Sequence, residues 1–271
     1  MRLHDYLRRI GVEEGLAATA DTLRRLHIAH REAFLFENLS IQSGGRVSVA
    51  LDDLERKFID ERRGGYCFEH NTLFAAALGD VGFAPVALLA RVRRGPPERW
   101  ARTHMVLKVA ADGEVWLADV GFGGLGLLEP IRLRDGTVAE QAGLTYMLRR
   151  EGQTGGGLWV LAIHDPTPVQ QYQHDSATAT TDLYEFSEDP QTAGDVEVAN
   201  HFTSTHPDSV FRRTLTIQRS GRDGRLILRG DTLTRYTNGN AIEEVLARDR
   251  VRDVARELFG IELPDRLISE S

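Results

Sequence analysis

The chain has 271 residues, a single cysteine and a formal net charge of −7. One cysteine excludes an intrachain disulfide framework, and the acidic balance argues against a nucleic-acid partner, whose binders carry a basic excess. The opening MRLHDYLRRI has no apolar run of the kind a signal peptide needs. The stretch FAPVALLA at 83–90 is far too short to span a bilayer, so a cytoplasmic protein with no membrane partner is expected.

The first eighty or so residues read as helical. In DTLRRLHIAHREAF, Leu23, Leu26 and Ala29 recur at helical spacing, with Asp21 as the N-cap. LDDLERKFID is a second short amphipathic segment. YCFEHNTLFAAALGDVGF is a third, with Phe68, Leu73, Phe74 and Ala77 apolar and Gly79 or Gly82 as its stop. From about residue 84 the period changes. APVALLARVRR, THMVLKVA, EVWLADVGF and LWVLAIHD read as strands between Gly, Pro and Asp-Gly turns. TLTIQR and GRLILRG add two more, and DRVRDVARELFGI closes the chain as a helix capped by Gly260. Helices first, strands next and a mixed tail predict an α+β protein. Its expected parts are a helical domain over 1–84, a β-domain over 85–186 and an α/β piece over 187–271.

The lone thiol lies in RRGGYCFEHN at 62–71. A free cysteine is commonly a small buried hydrophobe. The other reading is a nucleophile. Gly64 and Gly65 would let the backbone turn into a helix with Cys67 in its first turn, where partial positive charge favours the thiolate and free N–H groups could hold an oxyanion. A base is then required. In RTHMVLKVAADGEVWLADVGF, Asp112-Gly113 is a two-residue hairpin signal. With that pair at the loop centre, paired residue numbers sum to 225, and Asp119 lies opposite Val106. His104 and Asp119 then become diagonal neighbours on one face, about 7–8 Å apart at Cα. The carboxylate would fix the imidazole tautomer and leave the other ring nitrogen for Cys67. A slip of one residue would place the two on opposite faces. From the residues alone, both readings stay open.

RRGGYCFEHN, RTHMVLKV and ADVGFGG resemble the signature segments of the arylamine N-acetyltransferases, and FENLS at 36–40 and ANHFTSTHPDSVF at 199–211 resemble two more. The segments occur in the family's order, and the last sixty or so residues resemble it only loosely. Leu35 departs from the proline that family members often carry there. The resemblance implies an N-terminal helical domain, a central β-barrel and a C-terminal α/β lid around a cysteine-protease-like Cys-His-Asp core. It places the catalytic residues at Cys67, His104 and Asp119. It implies acetyl-CoA as co-substrate, no metal, and a small aromatic amine or hydrazine as acceptor, served in turn through a thioester on Cys67. Phe122 and Phe36 would line the acceptor pocket, and Thr103 and Gly123 would flank the acyl group or pantetheine arm.

Core packing is the rival reading for Phe36 and Phe122. Arg63 and Glu37 resemble a pair that steadies the Cys67 loop. The five arginines of 91–102 could meet CoA phosphates or form a solvated loop. His201 and His206 read as structural, because their spacing fits no metal motif. Other functions on the same scaffold are an amide synthase closing a polyketide macrolactam, a cysteine hydrolase, and a binding module without catalysis.

Overall fold

The computed structural model describes residues 1–152, 157–164, 172–237 and 240–267. Its helices are α1 (Leu3–Ile10), α2 (Ala20–Ala33), α3 (Leu39–Gln42), α4 (Leu51–Glu55), α5 (Cys67–Val81), α6 (Ala193–Thr205), α7 (Val210–Arg213) and α8 (Arg248–Phe259). The strands are β1 (Phe36–Glu37), β2 (Val86–Val92), β3 (Arg102–Ala111), β4 (Glu114–Ala118), β5 (Ile131–Arg132), β6 (Thr137–Gln141), β7 (Leu144–Glu151), β8 (Leu158–His164), β9 (Gln173–Asp175), β10 (Thr180–Phe186), β11 (Thr216–Gly221), β12 (Gly224–Arg229), β13 (Thr232–Thr237) and β14 (Asn240–Val245). Among the described residues no helix is long and apolar enough to cross a membrane.

Two sheets organise the molecule. One runs β5-β4-β3-β2-β10-β8-β7-β6, with β9 attached to β10. Its end strands β5 and β6 are consecutive in the chain, and the sheet curls into a nearly closed barrel. The other runs β1-β11-β12-β13-β14. Leu88, Val106, Leu117, Tyr146, Leu161, Ile163, Tyr184 and Phe186 fill the barrel. Met105, Leu107 and Val109, the alternate residues of β3, belong instead to the helical core with Phe68, Leu73, Phe74 and Ala77 of α5. Strand β3 is thus buried on both faces, which is why it reads as a nearly unbroken apolar run. A third cluster joins Leu39, Ile217, Leu228, Leu233, Val254 and Phe259 beneath the second sheet.

The hairpin of β3 and β4 has the expected register. Ala111 pairs with Glu114 and Leu107 with Ala118, and Asp112 and Gly113 both have positive φ (51° and 75°), as a type I′ turn requires. Strand β4 ends at Ala118, however, one residue short of Asp119. At α2 the expected cap is corrected. Thr19, extended at φ −109° and ψ 162°, accepts the Thr22 N–H at 3.2 Å, and Asp21 lies inside the first turn. The second helical segment begins as α4 and loosens into a π-turn at Arg56–Asp60. Helix α5 ends on Gly82, at φ 108°, not on Gly79.

Candidate active site

Helix α5 starts at Cys67 for local reasons. Glu69 Oε2, in its first turn, accepts the Tyr66 N–H at 3.0 Å. Gly64 runs so close to Leu35 that a Cβ there would lie 1.8 Å from the Leu35 carbonyl oxygen. The loop before Cys67 is braced by buried charge. Glu37 accepts from Arg63 at 2.7 and 3.1 Å, while Lys57 donates to Glu69 at 2.7 Å and lies 4.0 Å from Glu37. Glu37 is fully buried and also accepts the Leu39 N–H at 2.6 Å.

The N-terminus of α5 sits where β4 stops. Beyond Leu107 the β4-facing edge of β3 has no strand partner, and α5 side chains take its place. Cys67 Sγ lies 3.7 Å from the Thr103 carbonyl, and Asn71 Nδ2 donates to the Met105 carbonyl at 2.8 Å. The thiol is buried. Burial and the charge of Asp119 push it up, against the pull of the Phe68 and Met105 N–H groups. The helix N-terminus therefore does not by itself ionise Cys67.

His104 extends from β3 on the same face as Val106, into the mouth of the barrel. Its Nε2 bonds Asp119 Oδ2 at 2.8 Å, with both side chains buried. Since an ionised carboxylate only accepts, Nε2 carries the proton and Nδ1 is left as the free ring nitrogen. The other carboxylate oxygen, Oδ1, accepts from Asn71 Nδ2 at 3.0 Å and from the Gly121 N–H at 2.9 Å. Burial alone would raise Asp119. His104, Asn71 and the Gly121 N–H outweigh it and hold the carboxyl at about 2.

The backbone around Asp119 is anchored from α2 and α5. His27 Nε2 accepts the Asp119 N–H at 3.1 Å, while its Nδ1 donates to the Leu128 carbonyl at 2.9 Å. Burial lowers His27 to about 4, so it stays neutral. Asn71 Oδ1 accepts the Val120 N–H at 3.1 Å. Arg31 donates to the carbonyls of Val120 at 3.3 Å and Gly123 at 2.6 Å.

Phe122 meets the His104 ring edge-on at 5.1 Å, and Tyr184 flanks the same ring at 5.1 Å. Thr103 supplies its carbonyl to the thiol. Gly123 has φ 89°, and a Cβ there would meet Gln218 Oε1 of β11 at 2.5 Å. Phe36 forms a backbone bridge with Gly65, two residues before Cys67. It is buried in the helical core, with its ring against His70 at 6.2 Å and Phe211 at 6.0 Å. His206 accepts the Asp208 N–H through Nδ1 and stacks on Phe202.

The matching family model is described as N-acetyltransferase and spans residues 19–268. The arylamine N-acetyltransferase of Mycolicibacterium smegmatis is 36% identical over 274 residues, covering 98% of this chain and 94% of the relative. The chain belongs to the arylamine N-acetyltransferase family and is an acyltransferase. A Salmonella typhimurium member, named arylamine N-acetyltransferase / N-hydroxyarylamine O-acetyltransferase, is 35% identical over 97% of this chain and 90% of its own. The fold agrees. The Nocardia farcinica family structure superposes with a TM-score of 0.86 at 37% identity, covering 97% of this chain and 90% of that one. The Mycobacterium marinum structure superposes with a TM-score of 0.84, and the M. marinum structure in complex with CoA with one of 0.83. The CoA complex is 34% identical, with 96% of this chain and 92% of that chain covered.

Several residues of the site escaped the sequence reading. Asn71 had a signal, because it lies one helical turn beyond Cys67 and so shares its face. His27 and Arg31 had none, since nothing local ties α2 to the segment after β4. Nor did the buried relay in which Tyr6 Oη donates to His30 Nδ1 at 2.8 Å, His30 Nε2 to His70 Nδ1 at 2.9 Å, and His70 Nε2 to the Leu35 carbonyl at 3.1 Å. The terminal carbonyl can only accept, which sets every tautomer in the chain.

Proposed function

We propose that the chain moves an acetyl group from acetyl-CoA to an arylamine, arylhydrazine or N-hydroxyarylamine through a thioester on Cys67, with His104 and Asp119 as its partners. The observation that carries this reading is the buried His104–Asp119 bond, which leaves Nδ1 of the imidazole free, with the chain's only thiol 3.7 Å from the carbonyl of the adjoining Thr103. The CoA complex of the Mycobacterium marinum relative and the name of the Salmonella relative support the donor and acceptor classes.

In the first half-reaction His104 Nδ1 takes the Cys67 proton as sulfur attacks the acetyl carbonyl. A lone buried thiolate is unfavourable here. Proton transfer makes an ion pair instead, and Asp119 stabilises the imidazolium. The tetrahedral intermediate collapses, the bond to the CoA sulfur breaks, and the imidazolium proton leaves with CoA. In the second half the amine nitrogen attacks the acetyl-Cys67 carbonyl. His104 accepts the amine proton and returns it to the departing Cys67 sulfur. One nucleophile serves both halves, so CoA leaves before the amine reacts. Phe122 and Tyr184 around the imidazole restrict water, which favours an amine over hydrolysis.

With acetyl-CoA and no amine, the expected result is a burst of about one CoA per chain, followed by slow release. Intact-mass analysis should find one acetyl group, and peptide mapping should place it on Cys67. Steady turnover without amine would indicate a hydrolase. An unlabelled enzyme with intersecting kinetic lines would mean direct transfer in a ternary complex. Efficient acylation of Cys67 only by long carrier-bound acyl chains would indicate an amide synthase.

A further inference from the structure

Two arginines at the barrel mouth have no counter-charge among the described residues. The arginines of 91–102 divide sharply. Arg93 is neutralised by Asp182 at 2.6 Å and Glu185 at 2.8 Å, with Glu151 in contact as well, and Arg91 lies 4.0 Å from Glu185. Among the described residues Arg94 has no carboxylate. Its guanidinium lies 4.8 Å over the Tyr172 ring and donates one bond, at 2.9 Å, to the Tyr172 hydroxyl, while its Nε is buried without a partner.

The second cation is Arg229, the last residue of β12. Alternation places it on one strand face with Arg225 and Ile227. That face covers the end of the barrel. Arg225 donates to the Tyr146 hydroxyl at 3.2 Å, and Ile227 lies so close to Gly124 that a Cβ there would meet its Cδ1 at 2.3 Å. Arg229 is the next residue along this face. Its side chain makes no hydrogen bond or ion pair among the described residues, and its electrostatic neighbours are Arg94 and Tyr172. Burial and the charge of Arg94 lower it to about 10, so it stays cationic at neutral pH.

Two partly buried cations side by side repel each other, and neither has a carboxylate partner among the described residues. The missing partner is an anion. Tyr172 is 6.3 Å from Phe122, and Phe122 is 5.1 Å from His104, so two aromatic rings separate these guanidinium groups from the imidazole. A carboxylated arylamine has one ring between its nitrogen and its carboxylate. CoA has the whole pantetheine arm between its sulfur and its nearest phosphate. We propose that Arg94 and Arg229 form a phosphate subsite for the CoA donor, gripping it while its thioester lies between Cys67 and His104. This rests on the acetyl-CoA reading above.

The test is calorimetric titration of the full chain with CoA and, separately, with pantetheine, which lacks every phosphate. Arg229→Gln and Arg94→Gln should each weaken CoA by roughly 10–100-fold, the worth of a charge-assisted hydrogen bond. Pantetheine affinity should change by less than about twofold, which also certifies that the variants are folded. Arg229→Lys should recover part of the loss. Equal weakening of CoA and pantetheine overturns the subsite, as does CoA affinity that ignores both substitutions. Unchanged CoA affinity with selective loss of para-aminobenzoate turnover would give the site to an acceptor carboxylate and overturn the donor assignment. Because CoA binding is read without turnover, an arginine-dependent CoA affinity in a chain that never forms acetyl-Cys67 would sink the proposed function and leave the subsite standing.

Discussion

The buried histidines make this protein sensitive to mild acid, and the size of the effect follows from their surroundings. His27 is held at about 4 and His70 at about 3, both chiefly by burial, and burial also pushes His30 well below its ordinary range. In the unfolded chain each titrates near ~6.5. A folded value below the unfolded one means that the unfolded chain binds more protons between the two. The stability these groups allow is therefore complete above about pH 6.5 and is lost as pH falls toward about 4 for His27 and 3 for His70. At pH 5 each is about 1.5 units below its unfolded value, a loss of about 2 kcal/mol apiece. His27 and His70 together cost about 4 kcal/mol, and His30 adds to them in the same direction. Glu69, raised by burial, works the other way, while Asp119, held at about 2, enters only at lower pH. A domain commonly has about 5–15 kcal/mol in all. Urea unfolding at pH 7.5 and at pH 5 should thus differ by several kcal/mol, with a limiting slope of about 1.4 kcal/mol per pH unit for each proton taken up. Unfolding free energies within about 1 kcal/mol at the two pH values would mean that these imidazoles are solvated or already charged, and the relay geometry would be wrong.

Other outcomes follow from the site itself. Asp119→Asn keeps the side chain's shape but removes the charge that orients and stabilises His104, so turnover should fall on the order of 10⁴-fold in a folded protein, and a change of only a few-fold would remove Asp119 from the mechanism. Iodoacetamide should alkylate Cys67 below the ordinary thiol range near ~8.5, and His104→Asn should move that profile above it, because burial and Asp119 then act on the thiol unopposed. Identical pH profiles for the two proteins would dissociate His104 from the thiol. Asn71→Leu leaves the Val120 N–H, the Met105 carbonyl and one Asp119 oxygen short of a partner. Its unfolding free energy should drop by roughly 2–5 kcal/mol, and turnover should drop with it. Wild-type stability would show that water or a shifted backbone replaces the amide.

What the sequence makes legible is local. Asp112-Gly113 sets the register of β3 and β4 because a two-residue I′ turn matches strand twist and leaves little freedom, so His104 and Asp119 share a face before any tertiary contact is known. Helix α5 is legible because its apolar positions, its first-turn Glu69 and Gly82 agree. The rest depends on distance along the chain. Strand β10 pairs with β2 through Tyr184 and Val92, and nothing in either segment marks the other as partner. Short strands such as β5 and β6 carry too few residues to show a period. His30 and His70 belong to different helices and read as ordinary polar positions until packing brings their ring nitrogens to 2.9 Å. At α2, Thr19 and Asp21 are both good capping residues, and only the backbone angles decide between them.

On the proposed mechanism, the place where β4 stops explains how one site could be both buried and reactive. A strand continuing past Ala118 would pair its backbone with the open edge of β3. Instead, side chains from two helices take over the bonding. His27 receives the Asp119 N–H, Asn71 receives the Val120 N–H and donates to the Met105 carbonyl, and Arg31 holds the Val120 carbonyl. The backbone is still satisfied, as burial requires. The exchange frees Asp119 to turn its carboxylate to His104 and opens an edge of β3 where the Cys67 thiol can sit. Each substitute bond spans elements far apart in sequence, so the geometry holds only when the helical core and the barrel pack together. The proposed reactivity is thereby tied to complete folding. A partly folded chain lacks the carboxylate behind the imidazole, and with it the means to ionise a thiol that burial keeps protonated.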